Sequence, residues 1–237
     1  MRTFILLILT IASVFIFIAC KNNSSDTQNS PFANAQVGDT LSIAELDWLV
    51  LDIQDDKALV ISENILSQRQ WHYEQRLLTW EPSEIRRYLN ETFYENTFSE
   101  EEKSFIVETT VVNDANPWFP SAGIGVDTMD KVFLLNLEEI VKYFGDSGML
   151  AEYTGKPVSA IPLIFIYDQY NDNRRAVPLD EDTVSWWWLR TPGRAFNPQY
   201  DSSATAINGI GEIVPYGIYL VAEGGVRPAM WINLTYP

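Results

Sequence analysis

Apolar and polar positions change period several times along this chain, and each change marks an element. Gly38-Asp39 reads as a turn into a strand over Thr40–Ile43. Residues 46–53 read as a second strand, Asp55-Asp56 as a turn, and Lys57–Ser62 as the returning hairpin partner. The stretch 63–79 is polar and aromatic and reads as a loop. Pro82 then opens a helix, proline being favoured in a first turn. Ile85, Tyr88, Leu89 and Phe93 recur at helical spacing as one buried stripe. Ser99 with Glu102 makes a capping-box signature and predicts a short helix to about residue 107. Residues 113–130, rich in Asn, Pro and Gly, form a loop, and 131–135 a buried strand. Asn136 with Glu139 caps a helix with the apolar face Leu137, Ile140, Val141 and Phe144, ended by Gly145.

The second half is dominated by three consecutive tryptophans, Trp186-Trp187-Trp188. Strand alternation sends Trp186 and Trp188 to one face and Trp187 to the other. Each ring buries roughly 150–250 Å². At ~25 cal/mol per Å² that is an upper bound of about 4–6 kcal/mol apiece, so the segment belongs mid-domain. Before it, 161–167 reads as a strand interrupted by Pro162, and 168–182 as a polar loop. After it, 203–208 and 212–214 flank a hairpin turn at 209–211, and strands 216–221 and 226–234 surround Glu223-Gly224-Gly225. There is no solenoid period and no second domain. The expected fold is α+β: a mixed, mostly antiparallel sheet flanked by two or three short helices.

The N-terminus has a different character. Met1-Arg2 is followed by an apolar run over 4–18 and then Phe17-Ile18-Ala19-Cys20. This resembles a bacterial lipoprotein signal, with Phe17 where leucine is usual. An uncleaved anchor helix is the rival, and the run is short against the ~20 residues that span a bilayer. The expectation is a signal peptide over 1–19, a lipidated Cys20 opening a flexible tether over 20–36, and one globular domain over 37–237. The implied address is the cell envelope, lipid-anchored and extracytoplasmic, at an outer membrane or cell surface. Lys21 stands where an aspartate commonly retains lipoproteins at an inner membrane.

Composition narrows the functions. With 46% hydrophobic and 13% aromatic residues the chain has the material for a full core. A net charge of −16 excludes nucleic acid as a partner and a peripheral grip on anionic lipid. One cysteine excludes an intramolecular disulfide, a multi-cysteine zinc site and a CxxC motif. One histidine, His72, is the sole imidazole for general-base work.

Four stretches carry a resemblance. They are Thr79-Trp80-Glu81-Pro82-Ser83-Glu84-Ile85-Arg86-Arg87-Tyr88-Leu89-Asn90, Asp130-Lys131-Val132-Phe133-Leu134-Leu135, Trp187-Trp188-Leu189-Arg190-Thr191-Pro192-Gly193, and Gly225-Val226-Arg227-Pro228-Ala229-Met230-Trp231-Ile232-Asn233-Leu234. Over about residues 45–235 the chain resembles an uncharacterised bacterial extracellular "domain of unknown function" family with TWExSxIRxWLN, DKVFLLS, WWLRSPG and GVRPALWINL hallmarks. It departs from them at Tyr88, Asn136, Thr191 and Met230. The ending also resembles C-type-lectin-like and formylglycine-enzyme-like domains. By analogy this implies a strand near the N-terminus paired with the C-terminal one.

Candidate chemistry is spread thinly. Trp118, Phe119 and Tyr170 are candidate sugar-stacking rings, set against core packing under long loops. Arg174 and Arg175 lie in the 168–182 loop and join them as ligand-binding candidates. That loop lacks EF-hand spacing, so no metal and no cofactor is expected. Arg190 and Arg227 sit in apolar strands and read as internal ion pairs or as an anion-binding pair, with Asp130, Glu84 and Asp52 as candidate partners. No GxSxG, P-loop or dinucleotide fingerprint is present. The expected function is a non-enzymatic surface lipoprotein module for a glycan or an envelope protein. The alternatives are a carboxylate-dependent extracytoplasmic hydrolase and an envelope structural or assembly subunit.

Overall fold

Strand β1 (Thr40–Ile43), β2 (Leu46–Gln54) and β3 (Lys57–Ser62) form a meander, as alternation and turn residues predict. The computed structural model describes residues 30–161, 164–194 and 202–236. The signal-peptide reading, Cys20 and most of the tether lie outside the described residues. Phe32, within the segment read as tether, is buried and packs edge-on against Phe105 with centroids 5.2 Å apart, so the packed chain begins before Val37.

The remaining elements in order are β4 (Ser67–Gln70), α1 (Glu84–Arg87), a π-helical segment Tyr88–Phe93, α2 (Tyr94–Thr97), α3 (Glu100–Phe105), β5 (Ile106–Val107), β6 (Thr109–Val111) and β7 (Thr128–Asp130). Then come α4 (Leu137–Phe144), α5 (Met149–Glu152), α6 (Asn171–Arg174), β8 (Trp187–Pro192), β9 (Ser203–Ile207), β10 (Ile213–Tyr219), β11 (Glu223–Val226) and β12 (Ala229–Asn233). The fold is α+β with mostly antiparallel pairing. The strands divide between two five-stranded sheets, β1-β2-β3-β12-β5 and β10-β9-β8-β11-β4, with β6-β7 as a separate hairpin. Only β11 against β8 pairs in parallel among these ladders, at Gly225 and Trp187. The C-terminal strand β12 lies between β3 and β5. One continuous hydrophobic core joins the sheets and helices.

Both predicted capping boxes form. Ser99 and Glu102 close α3, and Asn136 and Glu139 close α4, whose end falls at Gly145 with φ of 117°. Several boundaries move, each for a local reason. Helix α1 starts at Glu84, leaving Pro82 outside it, because the Ser83 hydroxyl accepts from the Arg86 N–H and caps it there. Helix α3 stops at Phe105, and Ile106–Val107 pairs with β12 instead. Residues 131–135 are buried as expected but make no ladder; Phe133 alone bridges to Ala229. In 161–167, of which 162 and 163 lie outside the described residues, Ile166 forms a lone bridge to Ile213. The loop 63–79 hides β4, and Glu223-Gly224-Gly225 is strand rather than turn. A side chain at Gly224 would collide with the Trp186 ring, which fills the space glycine leaves.

The first two quoted stretches are tied together by buried polar contacts. Asp130, fully buried, accepts from Trp80 Nε1 at 2.8 Å, Arg86 Nε at 2.7 Å and Thr128 Oγ1 at 2.7 Å. Asn90 donates to the Val132 carbonyl at 2.8 Å and accepts from the Lys131 N–H at 2.8 Å. Three donors around one buried carboxylate satisfy a charge that would otherwise be costly to desolvate.

Candidate functional site

The arginines come first, since either reading of them was open. Arg190 is buried at 2% exposure. Its guanidinium donates to the Leu134 and Val112 carbonyls at 2.7 and 3.1 Å and makes a two-pronged contact with Glu139, Nη2 to Oε1 being 2.9 Å. The carboxylate is thus Glu139, the same residue that closes the α4 cap. Asp130, Glu84 and Asp52 are engaged by Arg86, Arg87 and Lys142. Arg227 is buried without a carboxylate. Nε donates to the Ser62 carbonyl at 2.7 Å, and the guanidinium lies 5.1 Å from the Trp187 ring and 5.5 Å from the Phe144 ring. Nη1 has no hydrogen-bond partner among the described residues. Burial pulls its pKa down to about 10, against a smaller opposing pull from Glu63. The two arginines share no carboxylate and form no anion-binding pair facing solvent.

The loop candidates also turn inward. Trp118 and Phe119 are fully buried, and Trp118 Nε1 donates to the Leu150 carbonyl at 2.7 Å. Neither offers a face to a sugar, because the 113–130 loop folds over its own aromatics. Tyr170 is half-buried and its ring covers Gly145. Arg174 is fully buried and paired with Asp168, and its Nε donates to the Gly211 carbonyl at 2.8 Å. Burial would raise the pKa of Asp168, but hydrogen bonds from Arg174 and Tyr170 outweigh it and hold the carboxyl low. Arg175 alone is exposed, pairing with Asp172 at 3.2 Å. The five do not converge.

What does converge lies on the outer side of the first sheet. Met230 and Ile232 in β12 point into the core, so alternation sends Trp231 the other way. Two concavities, about 300 and about 470 Å³, share Trp231, Thr109 and Thr110 in their linings. They form one trough. On one side α4 contributes Lys142 and Tyr143, which meet Asp52 at 3.1 and 3.2 Å. On the other stand Gln54, Lys57 and Met129. Burial raises the Asp52 pKa, yet hydrogen bonds from Gln54, Lys142 and Tyr143 prevail and lower it. Burial raises that of Tyr143, with Lys142 opposing.

The tryptophans separate cleanly here. Trp48, Trp71, Trp80, Trp118, Trp187 and Trp188 are buried, and each indole N–H is hydrogen-bonded. Trp186 stacks edge-on against Trp188 at 4.7 Å, the shared face that alternation predicts. Trp231 is half-exposed and has neither a ring partner nor a hydrogen bond among the described residues. Sequence reading absorbed Trp231 into a strand motif and missed Tyr143, Thr109 and Thr110. The available signal was the alternation around Trp231, which sets it opposite two apolar residues.

A family described as "Domain of unknown function (DUF6273)" matches residues 55–234. The chain belongs to this family. No curated protein and no solved structure matches it. The DUF6273 match includes both sides of the trough, from Lys57 to Trp231.

A second cleft of the DUF6273 domain, about 370 Å³, lies between β4 and α1. Of its two rings Tyr88 is covered, and Tyr73 is 56% exposed with one neighbour. The Arg69 guanidinium sits 3.5 Å from the Tyr88 centroid, and Tyr73 stacks on His72 at 4.4 Å. His72 itself is buried, and neither ring nitrogen has a partner among the described residues. Burial lowers its pKa, aided by Arg76 and Arg87 and opposed by Glu84 and Glu74. The unfolded chain then takes up this proton near its ordinary pKa of 6.5 while the folded chain resists. Stability should be full above that value and fall as pH drops through the depressed folded one. Urea midpoints at pH 7.5 and 5.5 should differ in the wild type and differ less in His72→Gln; equal shifts would show that His72 contributes nothing. Among the described residues no group of three or more His, Cys, Asp or Glu side chains gathers as a metal site.

Proposed function

We propose that the protein is a lipid-anchored envelope protein whose DUF6273 domain binds an extracellular ligand, glycan or protein, without transforming it. The observation that carries this is the trough centred on Trp231. A ring face and an N–H donor stand unengaged in a concavity with hydroxyls and charged groups, the composition of a recognition site. The anchor rests on the lone cysteine closing the apolar N-terminal run. Among the described residues no helix is long and apolar enough to cross a membrane.

The test has two arms. Cys20→Ser should move the protein from the membrane fraction to the soluble one, and unchanged fractionation would count against lipidation. Full-length wild-type protein in detergent micelles should be retained on isolated envelope material, and Trp231→Ala should lose most of that retention. Equal retention of the two would remove the trough as the site.

A further inference from the structure

We propose that the trough binds a neutral oligosaccharide chain, with Trp231 as the stacking platform under a sugar ring; this rests on the ligand-binding reading above. The argument begins with what Trp231 lacks. Each buried indole of this protein has its N–H satisfied, as burial requires. Trp231 is half-buried, packed against the core, lines the trough, and its indole N–H has no partner among the described residues. A sugar ring presents the matching pair, an apolar C–H face and an equatorial hydroxyl, so one residue answers both requirements.

The surroundings supply what sugar hydroxyls need. Thr109 and Thr110 line both parts of the trough; the Thr109 hydroxyl has no partner among the described residues, and the Thr110 hydroxyl donates to Met129 Sδ at 3.3 Å and keeps its capacity to accept. Asp55 and Glu108 on one side and Asp114 and Glu138 on the other make no ion pair among the described residues, leaving carboxylate oxygens to accept from hydroxyls. The two concavities meet at Trp231 instead of closing on it, which suits a chain crossing the ring and not a single monosaccharide.

Charge excludes the nearest competitor. An anionic polymer would meet four carboxylates without an ion pair among the described residues and a protein of net charge −16, against Lys57, a Lys142 already held by Asp52 and an Arg190 held by Glu139. A basic peptide is the remaining competitor, since an indole face also attracts cations. A cation cage uses several open rings, whereas of the rings lining the trough Tyr143 already carries Lys142 at 4.5 Å and Phe133 carries Arg190 at 5.7 Å, which leaves Trp231.

The experiment uses full-length protein in detergent micelles, titrated with neutral β-glucan and mannan oligosaccharides of increasing length, with polygalacturonate and oligolysine as charged probes. At least one neutral series should bind, with affinity rising from disaccharide to longer chains. Trp231→Ala should weaken it by at least about tenfold. Thr109→Val with Thr110→Val should weaken it by several-fold, their circular dichroism and urea midpoints staying near wild type. Binding should vary less than about twofold between 50 and 500 mM salt, as an uncharged ligand requires. Trp231-dependent binding of oligolysine, lost in high salt, would overturn the glycan inference while leaving the binding module standing. Trp231-dependent retention on envelope protein with no oligosaccharide binding would do the same. Oligosaccharide binding indifferent to Trp231 and to both threonines would overturn the site.

Discussion

Arg190→Met should cost the folded protein about 3 kcal/mol, the lower part of the ~3–5 kcal/mol range for breaking a buried ion pair. The arginine is at 2% exposure and joins three parts of the chain: the 131–135 segment through Leu134, the β6 end through Val112, and α4 through Glu139. Methionine fills much of the volume but satisfies none of these acceptors. The Glu139 side chain is a quarter exposed and also accepts from the Asn136 N–H at 2.8 Å, so water and the cap take up part of the loss. Glu139→Gln keeps the shape and some hydrogen bonding and should cost less. Urea unfolding followed by tryptophan fluorescence measures both. A loss below about 1 kcal/mol for Arg190→Met would mean that the pair behaves as a surface one. Domain stabilities are about 5–15 kcal/mol, so the expected loss is a large share of the total.

Trp187→Ala should cost about 3–5 kcal/mol, the range for truncating a large buried aromatic. The indole is fully buried, its N–H donates to the Arg174 carbonyl at 3.0 Å, and its strand pairs with β9 and β11. It also shields Arg227. That guanidinium has no carboxylate among the described residues, and burial already draws its pKa down to about 10. Two rings at 5.1 and 5.5 Å are the main compensation, and a desolvated cation–π contact is worth up to about 2 kcal/mol. Removing Trp187 withdraws one of them and leaves a cavity beside a charge. The double variant Trp187→Ala with Arg227→Met should therefore lose less than the sum of its parts, by at least about 0.5 kcal/mol. Strict additivity in the double-mutant cycle would show that ring and guanidinium are independent.

The elements whose signals are local were legible. The β1–β3 meander, the two capping boxes, the stop at Gly145 and the shared face of Trp186 and Trp188 follow from turn residues, caps and period. The elements set by distant partners were not. Strand β4 is Ser-Gln-Arg-Gln, with no apolar alternation, and exists because β11 pairs with it. Gly224 and Gly225 read as a turn on composition, yet they pair with β4 and β8, and the space they leave is filled by the Trp186 ring at Gly224 and by the Trp186 carbonyl and Ile65 side chain at Gly225. The candidate site divides the same way. Aromatic and charged types were visible, but not which of them the fold would bury.

The sequence by itself determined the α+β class, the acidic character, and the N-terminal run ending at its one cysteine, because composition and short-range periodicity are properties of the chain alone. Only the tertiary structure decided which aromatics remain available. Trp118 and Phe119 sit in a polar loop and are buried; Trp231 sits in an apolar strand and is half-exposed. Burial depends on what packs above a residue, and above Trp231 the β6–β7 hairpin and α4 flank a trough instead of covering it.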